Sequence, residues 1–383
     1  MIKRVYFDNA ATTAIRNEVV ESMTKSLVED FGNPSSTHGF GRSSKSVIEQ
    51  ARKDIAKSIN AHSSEIIFTS GGTEADNLIL KSAVYDLKVT DVITTSIEHH
   101  AVVYPLEELV EKTNVNVHYL RLNKKGEPDL EQLETLLNSI NGKVLISLMH
   151  VNNEIGNLLD LHRVCELAKR YHALFHSDTV QSVGHFKWDM QQQTVDFLAV
   201  SAHKFHGPKG VGFAYIRKGH PIKALLRGGL QEKGIRAGTE SVHNIVGLAK
   251  ALRLIQENYE QERKYIEDIK RYFIERIKKE IPGVVFNGTS SDFEKSTYTM
   301  INVSLPIAAD QSDLLLFNLD LKGIACSKGS ACQSGSQKGS HVLSQILDEK
   351  ALEYPALRFS FSIYNTKDEV DYVMETLKEL MKK

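Results

Sequence analysis

The sequence predicts an α/β fold: a large domain with a mostly parallel mixed sheet covered by helices, joined to a smaller α+β domain. Three observations carry this reading. Short apolar runs alternate with amphipathic stretches of helical period from about residue 45 to 217. A long amphipathic stretch follows, from about Val242 to Ile281, and reads as a connecting pair of helices. Beyond it the order of elements changes to strand, helix, strand, helix. The expected division is 13–250 for the large domain, with 1–12 and 251–383 forming the smaller one.

The strand candidates come in order. They are EIIFTS (65–70), DVITTS (91–96), VNVHYLRL (115–122), KVLISLMHV (143–151), ALFHSD (173–178), DFLAVS (196–201) and GVGFAYIR (210–217). Nearly continuous apolar runs of this length fit strands buried on both faces. TEADNLILKSAVYDL, DLEQLETLLNSI and LHRVCELAKRY lie between them with helical spacing. After residue 281 come TYTMINVSL as a strand, SDLLLFNLDLKG as a helix, LRFSFSI as a strand and a final amphipathic helix.

Composition excludes several classes. At 383 residues, 41% hydrophobic and 25% charged, the chain can bury a large core without staples. A net charge of -1 gives no basic field for direct nucleic-acid binding. MIKRVYFDNAATT lacks a signal-peptide core, and no run of eighteen apolar residues would span a membrane. Three cysteines, an odd number, fit a reducing, cytoplasmic setting, and no Cys/His spacing suggests a metal site.

Chemistry concentrates where strands end. In a wound α/β sheet the carboxyl ends of the strands hold the ligand. SGGTEADN (70–77) offers Gly71 and Gly72 for close backbone approach and Thr73 as a cap and hydroxyl, a turn suited to phosphate. Taken alone it also reads as a plain capped turn between strand and helix. SIEHHAV (96–102) places His99 where a ring could stack on a flat ligand or lie at the surface. HVNNEIG (150–156) puts Asn152, Asn153 and Glu154 after an apolar strand, for a cleft or for turns. Asp178 ends its strand and could pair a pyridinium nitrogen or cap a helix, with Gln181 three residues on. SAHKFHGPKG (201–210) sets Lys204 beside Ser201 and His203 at a buried strand end. A desolvated lysine there can form an imine. Asp178 and Lys204 are one βαβ step apart, on neighbouring strand ends, and the pair points to pyridoxal 5'-phosphate (PLP) far more specifically than either residue does. Arg236 and Thr239 open a further helix start, for phosphate, an interface or a plain cap. Cys332 stands among Gly and Ser with no apolar period to bury it, so its expected use is as a nucleophile. Cys165 sits in an amphipathic helix and should be buried. Arg358 could clamp a carboxylate or be a surface charge.

YFDNAATT, GNPSSTHGFGR, SGGTEADN, EHHAV, HVNNEIG, HSDTVQSVG, SAHK, RAGTE, GSACQSG and RFSF occur in order from end to end. In these motifs the chain resembles the PLP-dependent cysteine desulfurases of the NifS/IscS type. The resemblance implies that Lys204 carries PLP, Asp178 binds its ring nitrogen, Gln181 its ring oxygen, and His99 stacks and assists proton transfer. Gly72, Thr73, Ser201 and His203 would hold the phosphate, with Thr239 supplied by the other subunit of a homodimer. Asn153, facing the cofactor as well, would bind substrate with Arg358 and Asn33. Cys332 would take sulfur from L-cysteine as a persulfide, release L-alanine, and pass sulfur to an iron–sulfur scaffold or a sulfur-carrier protein for tRNA thiolation. Selenocysteine lyase is the alternative activity. Two departures stand out. Cys326 is an additional thiol upstream of Cys332, expected to pack and alternatively to trap the persulfide. SFSIYNT (360–366) replaces an expected glycine-arginine pair, which would alter local packing and the dimer or partner surface.

Overall fold

The computed structural model describes residues 3–307, 312–328 and 339–381. The chain opens with β1 (Val5–Tyr6), α1 (Asn17–Glu29) and α2 (Gly39–Ser58). Strands and helices then alternate: β2 (Ile66–Thr69), α3 (Gly72–Tyr85), β3 (Asp91–Thr94), α4 (His100–Lys112), β4 (Asn116–Tyr119), α5 (Leu130–Ser139), β5 (Val144–Ser147), α6 (Leu161–Arg170) and β6 (Leu174–Asp178). β7 (Phe197–Ser201) and β8 (Gly212–Ile216) complete one seven-stranded sheet of order β2-β8-β7-β6-β5-β3-β4. Only β8 runs against its neighbours, so the other six strands point the same way.

All seven expected strands are present. Successive residues face opposite layers, as the pleat requires. Phe68, Ile146, Phe175, Leu198, Val200 and Phe213 pack with α2, α6 and α7 (Val242–Glu280) on one face. Ile67, Val92, Leu145, Leu174, Phe197 and Ala199 pack with α3 and α4 on the other. Burial on both faces explains why these strands read as continuous apolar runs rather than alternating ones.

The remaining elements are β9 (Val285–Phe286), β10 (Met300–Ser304), α8 (Ser312–Leu321), β11 (Ile324–Ala325), α9 (Leu343–Ile346), α10 (Glu349–Leu352), β12 (Ala356–Ser360) and α11 (Lys367–Met381). β12, β10 and β9 form an antiparallel sheet, and β1 pairs in parallel with β11. A second apolar cluster centres on Phe7, Phe273, Phe359 and Phe361, whose rings meet mostly edge to face.

Two expectations are corrected. The stretch from Val242 is not a helix pair but one 39-residue helix, about 58 Å long at 1.5 Å per residue. No Gly or Pro interrupts it after Gly247. Its first half buries Ile245, Leu248, Leu252 and Ile255, its second half Ile266, Ile269, Phe273 and Ile277, each in a different cluster. The polar gap between those stripes is a bridge between two cores, which mimics a break in sequence. The step from β6 to β7 also lacks a helix: residues 179–196 form turns and loop, although the two strands are adjacent and parallel as expected.

The SFSIYNT departure has a local role. Asn365 Nδ2 donates to the Tyr6 carbonyl at 3.0 Å, and its Oδ1 accepts from Asn9 at 3.1 Å and from the Ser362 N–H at 2.8 Å. The segment thus ties β12 to residues 5–13, the N-terminal strap.

Candidate active site

The carboxyl ends of β2, β3, β5, β6 and β7 surround a cavity of about 200 Å³. It brings together Gly72, Thr73, His99, Asn153, Asp178 and Gln181 with Ser201, His203, Lys204 and Arg358. A larger groove of about 600 Å³ beside Trp188 and Tyr259 contains none of these residues.

Lys204 closes the 3-10 turn Ala202–Lys204 that follows β7. Its ammonium donates to the carbonyls of Ala10 and Ala11, both at 2.8 Å. Gln181 Nε2 donates to the same Ala10 carbonyl at 2.8 Å. The N-terminal strap is therefore a wall of the cavity. Thr13 holds it there, since its N–H and hydroxyl both donate to the His203 carbonyl at 2.9 Å. His203 Nδ1 lies 3.2 Å from Thr12 Oγ1, and burial, helped by Lys204, pushes its pKa down to about 4.

Asp178 is buried at the end of β6, with the Val180 N–H donating to Oδ1 at 2.9 Å. Burial pushes its carboxyl up to about 6, and the backbone hydrogen bond and the Lys204 charge resist that rise. His99 is the N-cap of α4: the Ala101 N–H donates to Nδ1 at 3.1 Å. An accepting Nδ1 carries no proton, so the neutral ring holds its hydrogen on Nε2. Burial first, then Lys204 and His341, lower its pKa to about 4.

The two asparagines have different roles. Asn152 Oδ1 accepts from the N–H groups of Glu154 and Ile155, making the turn. Asn153 lines the cavity, and its buried Oδ1 has no hydrogen-bond donor among the described residues. Arg358 is 2% exposed on β12, so it is no surface charge. Its Nη1 donates to the Asn153 carbonyl at 2.6 Å and its Nη2 to Asp8 Oδ1 at 3.0 Å.

Thr73 does not cap α3. The N-cap is Gly71, at φ 155°, which has no side chain to offer the first turn. Gly72 has no room for a side chain, because a Cβ would stand 2.4 Å from Val180 Cγ2 and 3.8 Å from Ser201 Cβ. Asn33 is exposed on the loop between α1 and α2, where its Oδ1 accepts from the Ser35 N–H at 2.9 Å. Thr239 is exposed too, and neither lines this cavity. Cys332 lies outside the described residues. Cys326 is half-buried against the second cluster, and burial, with Asp8 adding to it, pushes its thiol up to about 12. That favours packing over thiolate chemistry.

Several cavity residues carry no clear mark in the sequence. Ala10 and Ala11 act through backbone carbonyls, which leave no side-chain signal. Asp76 is four residues after Gly72 in α3, on the same helical face, and that spacing is the available signal. Its Oδ1 lies 3.2 Å from Nε2 of buried His176, whose Nδ1 is 2.9 Å from Ser147 Oγ. Burial, Asp178 and Glu98 raise the Asp76 carboxyl, and burial lowers His176 to about 3, so burial works against a charge on either. Glu98 accepts the Met149 N–H, and burial lifts its carboxyl to about 8.

Residues 5–373 match the family model described as Aminotransferase class-V. The chain belongs to that family, and within it to the NifS/IscS type. A cysteine desulfurase IscS from Dictyoglomus turgidum is 42% identical over 385 residues, spanning 100% of this chain and 96% of that protein. Another, from Methanosarcina thermophila, is 40% identical over 100% of this chain and 93% of its own. Among solved structures, a NifS-like protein superposes with a TM-score of 0.89 at 35% identity, covering 99% of this chain and 100% of that one. SspA in complex with cysteine superposes with a TM-score of 0.81 at 31% identity, covering 94% of this chain and 100% of that one. Class-V aminotransferases and cysteine desulfurases are PLP enzymes. The cavity of this class-V protein fits that group. It has an uncapped helix start with a Gly72 cradle, a buried carboxylate at a strand end, a lysine facing it, and an unpartnered Asn153 oxygen. No helix of the described residues is long and apolar enough to cross a membrane.

Proposed function

We propose that this protein is a cysteine desulfurase that converts L-cysteine to L-alanine and leaves the sulfur on Cys332 as a persulfide. The observation that carries it is the juxtaposition of Lys204 and Asp178 on adjacent strand ends with Arg358 across the same cavity. The relatives' names speak for sulfur rather than selenium as the element transferred.

Lys204 would carry PLP, with Asp178 at its ring nitrogen, Gln181 at its ring oxygen and His99 against its face. Gly72, Thr73, Ser201 and His203 would take the phosphate. When bound, PLP supplies an electron sink for charge developing on the substrate carbons. Arg358 and Asn153 bind the substrate carboxylate and amino-acid end, with Asn33 a further candidate. Lys204, freed from the Ala10 and Ala11 carbonyls, moves the substrate proton. His99 holds its proton on Nε2 beside the substrate. The Cys332 thiolate attacks the substrate sulfur, so one C–S bond breaks and one S–S bond forms, and the carbon takes a proton as alanine. Thiol plus cysteine becomes persulfide plus alanine with no atom left over. Ser327 is paired to Arg358 through both backbone hydrogen bonds, at 2.7 and 3.2 Å. Cys332 is five positions further on, a covalent reach of at most about 18 Å, which supports delivery of the thiol to this cavity.

A homodimer is supported by exposed Phe31, Phe40 and Leu230, the last 88% exposed. Gln231 Nε2 reaches Ser35 Oγ at 3.4 Å, so the loop that leads into α2 and the loop that carries Leu230 and Thr239 are neighbours. In the dimer Thr239 would join the other subunit's phosphate site. The division into 13–250 against 1–12 with 251–383 is supported by the two separate apolar clusters. Free thiols at Cys165 and Cys326 support a cytoplasmic setting, with an iron–sulfur scaffold or tRNA-thiolation carrier as sulfur acceptor.

The test is Cys332→Ala in the purified holoenzyme. The variant is expected to keep the cofactor colour and to lose alanine production from cysteine. Unchanged alanine production would remove the nucleophile assignment.

A further inference from the structure

The loop that ends in Thr239 is bolted to its own protomer by two Arg–Glu pairs, one of them at the phosphate turn. Arg236 Nε donates to Glu74 Oε1 at 2.8 Å and Nη2 to Oε2 at 3.2 Å. The same Glu74 accepts the Ser70 N–H at 2.8 Å, so its carboxylate grips the turn that leads into Gly71 and Gly72. Four residues earlier, buried Glu232 accepts both Arg52 nitrogens at 2.7 Å and the Phe68 N–H at 2.8 Å. Phe68 is on β2, an edge strand, and this carboxylate occupies its outward donor. Glu232 takes φ 45° to do so, a conformation uncommon outside glycine. Gly238, at φ 108°, then turns the chain outward just before Thr239.

We propose that the Glu74–Arg236 pair couples the two cofactor-phosphate sites of the homodimer, so that loading one protomer raises the affinity of the other. The inference rests on the reading that Thr239 serves the partner's site. A phosphate settling on Gly72 and Thr73 fixes the turn that Glu74 grips. Glu74 fixes Arg236, and Arg236 lies three residues from the hydroxyl offered across the interface. Because linkage is reciprocal, each protomer pre-orders the loop the other needs. Glu74 has the charge this coupling requires. Burial raises its carboxyl, but the hydrogen bonds from Arg236 and Ser70 outweigh that and hold it ionised.

The experiment titrates the apo-dimer with PLP and follows the cofactor absorbance at equilibrium, with sedimentation confirming the dimer throughout. The native protein is expected to bind the second PLP about 5-fold or more tightly than the first, the lower range of measured couplings. Arg236→Gln is expected to bring that ratio to about 1 with the dimer intact, and Arg236→Lys to keep part of it. Independent sites in the native protein, or an unchanged ratio in Arg236→Gln, would overturn the inference. If Arg236→Gln yields no dimer, Arg236→Lys decides, and a ratio equal to native overturns it. Thr239→Ala separates the two readings. Weakened binding in both steps upholds the shared site, whatever the Arg236 variants do, and unchanged binding removes the shared site itself.

Discussion

The His99 ring and the Ala101 N–H are joined by a 3.1 Å hydrogen bond that serves two purposes at once. It caps α4, and it fixes which ring nitrogen faces the cavity with a proton. Asparagine is a good N-cap, so His99→Asn keeps the first role and removes the second. Thermal stability is expected to change by less than about 1 kcal/mol, the usual size of a cap effect. Turnover is expected to fall on the order of 100-fold, the lower range for a lost general acid or base. Loss of stability with turnover intact would assign His99 to structure alone.

Gly72 and Val180 compete for one volume. The Gly72→Ala methyl would stand 2.4 Å from Val180 Cγ2, and β-branched Val180 has little rotamer freedom to retreat. Weaker PLP binding is expected, on the order of 10-fold for a 1.4 kcal/mol strain. Adding Val180→Ala should recover most of that loss, because residues in contact are not additive. A double variant as weak as the single one would mean that the glycine is needed for its backbone rather than its space.

Glu98 makes a sharp pH prediction for the apo-protein. Burial lifts its folded carboxyl to about 8, well above its unfolded value near 4.3. Between those values the unfolded chain gives up a proton that the folded chain keeps. The stability this group contributes is therefore full below about pH 4, declines as pH rises, and is lost by about pH 8. Relative to Glu98→Gln, the native protein should lose up to about 1.4 kcal/mol per pH unit across that window, read by denaturant titrations. Parallel pH curves for the two proteins would show that Glu98 ionises normally in the fold.

Much of the fold and the site is legible in sequence, for identifiable reasons. Six of the seven strands are buried on both faces and cannot hide among polar residues, whereas edge strand β4 is half-buried at best and shows by alternation instead. Ligand-facing side chains collect at strand ends, so Asp178, Ser201, His203 and Lys204 emerge together. What sequence conceals is of a different kind. Ala10 and Ala11 hold Lys204 through carbonyls that every residue possesses. The continuity of α7 is masked because its two apolar stripes serve different cores. Thr73 looks like a cap, yet Gly71 takes that position. Asp76 and His176 are an acid and a base whose chemistry is silenced by burial, which no local pattern announces.

The N-terminal strap has a consequence for synthesis. Val5 pairs with Ile324, and the carbonyls that receive Lys204 follow a few residues after that pairing. Residues 5 and 6 therefore wait for partners more than three hundred positions later before this pairing can form. Until β11 has emerged, the lysine pocket lacks a wall, however well the central sheet has formed. Contacts this distant along the chain form late. A nascent chain should therefore become competent for its cofactor only after β11 has been synthesised.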